Sequence, residues 1–156
     1  MNRPLRLALL VASAALVAAP ATAALGAPAC KPTPNDAFGP FGRGEPPLRA
    51  KIGTGHVLTG VVLSSLDCSP IRGARVNLWQ VNRHGDYTVA TSATVVTDRA
   101  GRFRFEGPYP PSDDGQQPHI HLRVFARLHR PLLTRYEPRA RERVGHVRLV
   151  LQVEQV

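Results

Sequence analysis

The segment Pro118-His119-Ile120-His121 sets two imidazoles two residues apart. On an extended chain, side chains at i and i+2 project to the same side, so such a pair can take adjacent positions on one metal ion. Alone the motif is weak, because a strand whose solvent face carries two histidines reads the same way. Two of the three tyrosines sit in turn-like surroundings upstream: Tyr87 in Gly85-Asp86-Tyr87 and Tyr109 in Gly107-Pro108-Tyr109-Pro110. Either one alone reads as a half-buried ring with its hydroxyl hydrogen-bonded. Taken together with the histidines, they suggest a hard trivalent cation such as ferric iron, which favours anionic oxygen of the kind a phenolate supplies. Two phenolates and two neutral imidazoles leave about one positive charge, for a hydroxide or an ionised substrate to neutralise. Zinc or copper on the H-x-H fits less well, since phenolate ligands are unusual for zinc. The other histidines read as solvated or hydrogen-bonded side chains: His56 and His146 on predicted strands, His84 in a turn and His129 in a loop.

The elements that must position these residues are short. With 156 residues the chain is one domain at most, and 15 prolines and 13 glycines point to many turns rather than long helices. Period-two patterning predicts strands at His56 to Leu63, Ala74 to Val81, Ser92 to Thr97, Arg102 to Glu106, His119 to Ala126, Leu132 to Arg135 and Val147 to Val153. Phe103 and Phe105 then share one face, with arginines on the other. Seven short strands separated by turns predict an all-β fold, an antiparallel β-sandwich. From Lys31 to Lys51 the chain is rich in Pro and Gly and reads as an extended arm lying over the domain.

The first residues follow a different pattern. Arg3 and Arg6 give a basic start, Leu7 to Ala19 is almost wholly apolar, and Ala21-Thr22-Ala23 offers small residues two apart after Pro20. That is the layout of a secretory signal peptide over residues 1–23, with cleavage as late as 29. The expected organisation is therefore a signal peptide, an arm over 24–51 and a sandwich over 52–156, exported to the periplasm or the medium. Loss of the two arginines takes the formal charge from +9 to +7. No apolar run reaches the ~18 to 20 residues that cross a bilayer as a helix. The arginine-rich stretch from Arg123 to Arg148 lacks the interleaved aromatics of a nucleic-acid surface, so no nucleic-acid partner is expected. In an oxidising compartment Cys30 and Cys68 most simply pair, with a lipidated Cys30 as the minor alternative.

In order along the chain these residues resemble the intradiol ring-cleavage dioxygenases, which include catechol 1,2-dioxygenases and protocatechuate 3,4-dioxygenases. Thr33-Pro34 and Gly39-Pro40-Phe41 are similar to the family's leading T-P-x-x-x-x-G-P-[FY]. Gly60-Val61-Val62, Pro70, Gly73-Ala74, Val76, Trp79-Gln80 and Gly85-Asp86-Tyr87 follow its next segment. Thr97-Asp98, Gly101-Arg102-Phe103-Arg104-Phe105, Pro108-Tyr109 and Pro118-His119-Ile120-His121 follow its T-D-x-x-G-R-[YF]-x-F…P-x-Y…P-H-I-H. Non-catalytic β-sandwich modules share the front half of this pattern, so Trp79-Gln80, the two tyrosines and the H-x-H decide between the readings. The resemblance implies non-haem Fe(III) held by Tyr87, Tyr109, His119 and His121. It also implies a small aromatic diol and O2 as substrates and ring cleavage between the two hydroxyl-bearing carbons to a cis,cis-muconate-type product. Tyr109 is the ligand expected to leave when substrate binds.

Two departures concern catalysis. The family usually carries an arginine three residues before the first histidine, to stabilise negative charge on the attacked ring carbon; Gln116 stands here and lacks the charge. Downstream, where the family often has T-Q-L-Y-F, this chain has Thr134-Arg135-Tyr136-Glu137-Pro138, which makes Arg135 the candidate to supply the missing guanidinium. The loop before Tyr109 is also shorter than the family's. The alternative function is a secreted binding or structural module of the same fold that has lost catalysis. Monomer and homo-oligomer stay open, although the helical extension through which catechol 1,2-dioxygenases associate has no counterpart in this pattern.

Overall fold

A computed structural model describes residues 30–36, 39 and 44–154. The expected signal peptide lies outside the described residues. Seven strands follow one another: β1 (His56–Ser64), β2 (Arg75–Val81), β3 (Tyr87–Val96), β4 (Arg102–Gly107), β5 (Ile120–Phe125), β6 (Leu132–Tyr136) and β7 (Val144–Leu151). They form two sheets, β4-β1-β7 and β3-β2-β5-β6. No helix is present among the described residues. The all-β sandwich expected from the period-two pattern is the fold observed.

Alternation explains the core. Leu58 and Val62 from β1 and Phe103 and Phe105 from β4 meet Val76 and Leu78 from β2, Ala93 and Val95 from β3, and Ile120, Leu122 and Val124 from β5. All pairings are antiparallel except that of β1 with β7, which is parallel from Val57↔Val144 to Ser64↔Leu151. The intervening chain crosses to the other sheet and back twice, through β2-β3 and β5-β6, and β7 comes to lie beside β1 running in the same direction. Such a pairing needs a long connection that local patterning does not display.

Strand β2 is buried on both faces over Val76 to Val81. One face is the core; the other is covered by the Pro-rich arm. The Thr94 amide donates to the Pro47 carbonyl at 2.7 Å, and its hydroxyl donates to the Pro46 carbonyl at 2.7 Å. Further upstream the Asp36 amide donates to Leu133 O at 2.7 Å and the Leu133 amide donates to Asn35 Oδ1 at 2.9 Å. A disulfide joins Cys30 to Cys68, with Cα atoms 5.3 Å apart, and anchors the start of the described arm beside β1.

Two boundaries differ from those the sequence predicts, in ways that matter below. Tyr87, expected in a turn, opens β3, and His119 sits one residue before β5. Between Trp79↔Ser92 and Val81↔Tyr87 the register shifts by three residues, and Thr88 to Thr91 form a local hydrogen-bonded bulge. An odd shift changes which residues share a face. Tyr87 therefore lies on the face of Trp79 rather than on the core face of Ala93 and Val95.

Candidate metal centre on the arm-covered face

Residues paired across antiparallel strands share a face, so Trp79, His121 and Arg135, paired in sequence across β2, β5 and β6, line the arm-covered side of the four-stranded sheet. Tyr87 joins them through the bulge. His119 and His121 are both buried, at 3% exposure, while Tyr87 is half-buried.

Their polar atoms converge. His119 Nε2 lies 3.0 Å from His121 Nε2, and His121 Nε2 lies 2.9 Å from Tyr87 Oη. The proton assignment follows from the partners. His119 Nδ1–H donates to the Gln117 carbonyl at 2.7 Å, which leaves Nε2 as the acceptor. Tyr87 O–H donates to Asp113 Oδ2 at 2.6 Å, so His121 Nε2–H is the donor toward both His119 Nε2 and Tyr87 Oη. Burial, followed by the neighbouring His119, pushes the His121 pKa down to about 4, so His121 is neutral at pH 7. Burial and the Asp113 carboxylate raise the pKa of the Tyr87 phenol.

Asp113 is the member of this cluster that the sequence motifs do not reveal. Donor atoms of Asp113, His119 and His121 all lie within 4.8 Å of one another, a grouping that could hold a metal ion. Asp113 opens a tight turn in which the Gln116 amide donates to the Asp113 carbonyl at 2.7 Å. Asp114 and Gly115 both have positive φ, 43° and 79°, the conformation an Asp-Gly pair is suited to in a type I′ turn. The Asp114-Gly115 dipeptide was the available signal for a turn. That its first residue reaches Tyr87 is a tertiary fact.

The two departures from the family pattern meet. Arg135 Nη1 donates to Gln116 Oε1 at 2.8 Å, and Arg135 Nε also pairs with Asp36 at 2.9 Å and Glu137 at 3.0 Å. A guanidinium therefore stands against the side chain that occupies the usual arginine position.

Tyr109 is placed elsewhere. Its hydroxyl donates to the Arg139 carbonyl at 3.1 Å, and its ring stands edge-on to His56, with centroids 5.9 Å apart. His56, expected as an unremarkable strand histidine, is 1% exposed and stacks on Tyr136 at 5.6 Å. The preceding Pro108 carbonyl accepts from Gln80 Nε2 at 3.3 Å. Of the four expected ligands, the structure links Tyr87, His119 and His121 at hydrogen-bonding distances, whereas the Tyr109 hydroxyl bonds the Arg139 carbonyl.

A cleft of about 320 Å³ opens beside Tyr87, lined by Trp79, Tyr87, Val89, Ser92 and the arm residues Glu45, Pro46 and Pro47. The larger cleft of about 580 Å³ on the outer face of the three-stranded sheet contains none of the converging residues.

Solved structures similar to this chain share one theme. The dioxygenase domain of a dioxygenase and carbohydrate-binding protein fusion from Streptomyces sp. SirexAA-E aligns with a TM-score of 0.69 at 22% identity, over 79% of this chain and 99% of that one. Hydroxyquinol 1,2-dioxygenase from Pseudomonas putida DLL-E4 aligns at 0.65 with 18% identity, over 79% and 67%. An intradiol ring-cleavage dioxygenase from Tetranychus urticae aligns at 0.60 with 25% identity, over 69% and 66%. No protein-family model and no curated protein sequence matches the chain. The chain has the fold of the intradiol ring-cleavage dioxygenases, as the order of its motifs led us to expect.

Proposed function

We propose that this protein is a non-haem Fe(III) dioxygenase that cleaves a catechol-type aromatic between its two hydroxyl-bearing carbons, placing both atoms of O2 in a cis,cis-muconate-type product. The observation that carries the reading is the convergence of Tyr87 Oη, His119 Nε2 and His121 Nε2, at 2.9 and 3.0 Å spacings, on a sandwich of this fold. Ligands in adjacent positions on a metal with bonds of ~2.1 Å lie ~3 Å apart, so the donors fit a single ion. An oxygen donor beside two imidazoles also suits ferric iron in kind.

Tyr87, His119 and His121 would hold the iron. Ferric iron bound there would supply a Lewis-acidic centre for the oxygens of a catechol-type substrate. The protein's own residues do the positioning. The Gln117 carbonyl fixes the His119 tautomer that presents Nε2. Trp79 and the arm prolines give the adjacent cleft flat, apolar walls suited to an aromatic ring. Arg135, held against Gln116 and ion-paired with Asp36 and Glu137, is the group that would stabilise developing negative charge in place of the family's arginine.

Export to an oxidising compartment is part of this reading. It is supported by the leader pattern and by the Cys30–Cys68 disulfide, which also takes up the sulfur a lipid anchor would need. Gln116 favours one second reading, a secreted module that keeps the metal and has lost turnover. Iron content, visible absorption and O2 uptake with a panel of catechols separate the two. Coloured, iron-loaded protein that consumes O2 supports the enzyme, coloured but inert protein supports the module, and colourless protein without iron overturns both.

A further inference from the structure

We infer that Asp113, rather than Tyr109, completes the protein's metal shell, giving a set of one phenolate, one carboxylate and two imidazoles. The inference rests on the iron site proposed above and concerns which residues build it.

Position comes first. Asp113 Oδ2 is 2.6 Å from Tyr87 Oη, and a carboxylate oxygen of Asp113 lies within 4.8 Å of donor atoms on both histidines. The type I′ turn at Asp114-Gly115 holds Asp113 there from its backbone. The same turn sends Gln116 to Arg135, so its two ends are anchored on the same side of the sheet. The Tyr109 side chain is engaged with other partners: its hydroxyl is hydrogen-bonded to the Arg139 carbonyl, its ring packs on His56, and Gln80 holds the preceding carbonyl. A Tyr109 hydroxyl serving as a ligand would have to give up its bond to the Arg139 carbonyl.

Charge and chemistry agree with the exchange. A carboxylate in place of a phenolate keeps two anionic oxygens and two neutral nitrogens around the ion, so the residual charge of a trivalent cation is unchanged. Both are hard oxygen donors.

Counting tyrosinates tests this directly, because a phenolate bound to Fe(III) gives a broad visible charge-transfer band and a carboxylate does not. Iron-loaded wild type, Tyr87→Phe, Tyr109→Phe, Asp113→Asn and Asp113→Glu are compared by absorption spectrum and by iron affinity in competition with a chelator, with thermal unfolding to confirm that each is folded. The expected result is loss of the band in Tyr87→Phe and an unchanged band in Tyr109→Phe. Asp113→Asn should lose iron affinity by more than the ~10 to 100-fold typical of an outer-shell partner, with recovery in Asp113→Glu. A Tyr109→Phe band that shifts or weakens overturns the inference, as does an Asp113→Asn variant that holds iron within about tenfold of wild type. Wild type that takes up no iron overturns the functional reading along with this one, whereas the two preceding outcomes overturn the ligand exchange alone.

Discussion

Arg135 and Glu142 are both held by named partners, and their removal has different consequences. Arg135 makes its ion pairs with Asp36 and Glu137 while partly exposed, where such pairs contribute ~0 to 1 kcal/mol each. Arg135→Ala should therefore leave thermal stability and iron content nearly unchanged while lowering kcat by ~100-fold, the loss typical of a group that stabilises developing negative charge. Full turnover in that variant would remove Arg135 from the mechanism. Glu142 accepts from the Tyr136 hydroxyl at 2.5 Å and from the Arg139 amide at 3.0 Å, and the Tyr136 contact holds its carboxyl below the usual range. A carboxylate with a depressed folded-state pKa contributes stability above its unfolded pKa of ~4.3, and that contribution is lost as the pH falls through the folded value. Solvent around Glu142 screens part of this, so Glu142→Gln should cost about 1 kcal/mol in denaturant unfolding at pH 7, and the gap to wild type should close as the pH falls below the usual carboxylate range. A gap that stays constant with pH would show that the charge on Glu142 does not matter.

The elements that build the site were legible to different degrees. Period-two alternation located every strand, because one face of each must be apolar to meet the other sheet, as with Phe103 and Phe105 on β4 or Leu122 and Val124 on β5. The H-x-H motif likewise placed His119 and His121 side by side. What the pattern could not show was non-local: the three-residue register shift that turns Tyr87 toward Trp79, the parallel β1 and β7 pair, and the turn that carries Asp113 to Tyr87. Tyr109 illustrates the same limit, since motif order specifies that a tyrosine follows Pro108 and not that its hydroxyl bonds the Arg139 carbonyl. Two element-scale outcomes follow. Cys30 and Cys68 close a loop with a sequence separation of 38, so replacing both with serine should lower stability by ~3 to 4 kcal/mol in chemical denaturation. A loss under about 1 kcal/mol would mean that the hydrogen bonds of the arm hold it without the disulfide. Gly115 has φ 79°, and a Cβ added there would meet no atom within 4 Å, so Gly115→Ala should cost only the left-handed backbone penalty of ~1 to 2 kcal/mol. Unchanged unfolding in that variant would contradict the positive-φ turn.

At the scale of the whole molecule, a small basic sandwich uses its arm as the wall that a larger protein could build from further elements. The arm seals one face of β2, supplies Asp36 to Arg135 and lines the cleft beside Tyr87 through Glu45, Pro46 and Pro47. The buried donors, the cleft and the guanidinium thus all lie on the arm-covered face of the four-stranded sheet. That Tyr87, His119 and His121 together bind ferric iron is tested most directly by the visible spectrum of the purified protein after loading with Fe(III). The expected result is a single iron per chain and a broad tyrosinate-to-iron band that disappears in Tyr87→Phe. Protein that remains colourless and iron-free after loading, or a band that survives in Tyr87→Phe, would contradict that assignment.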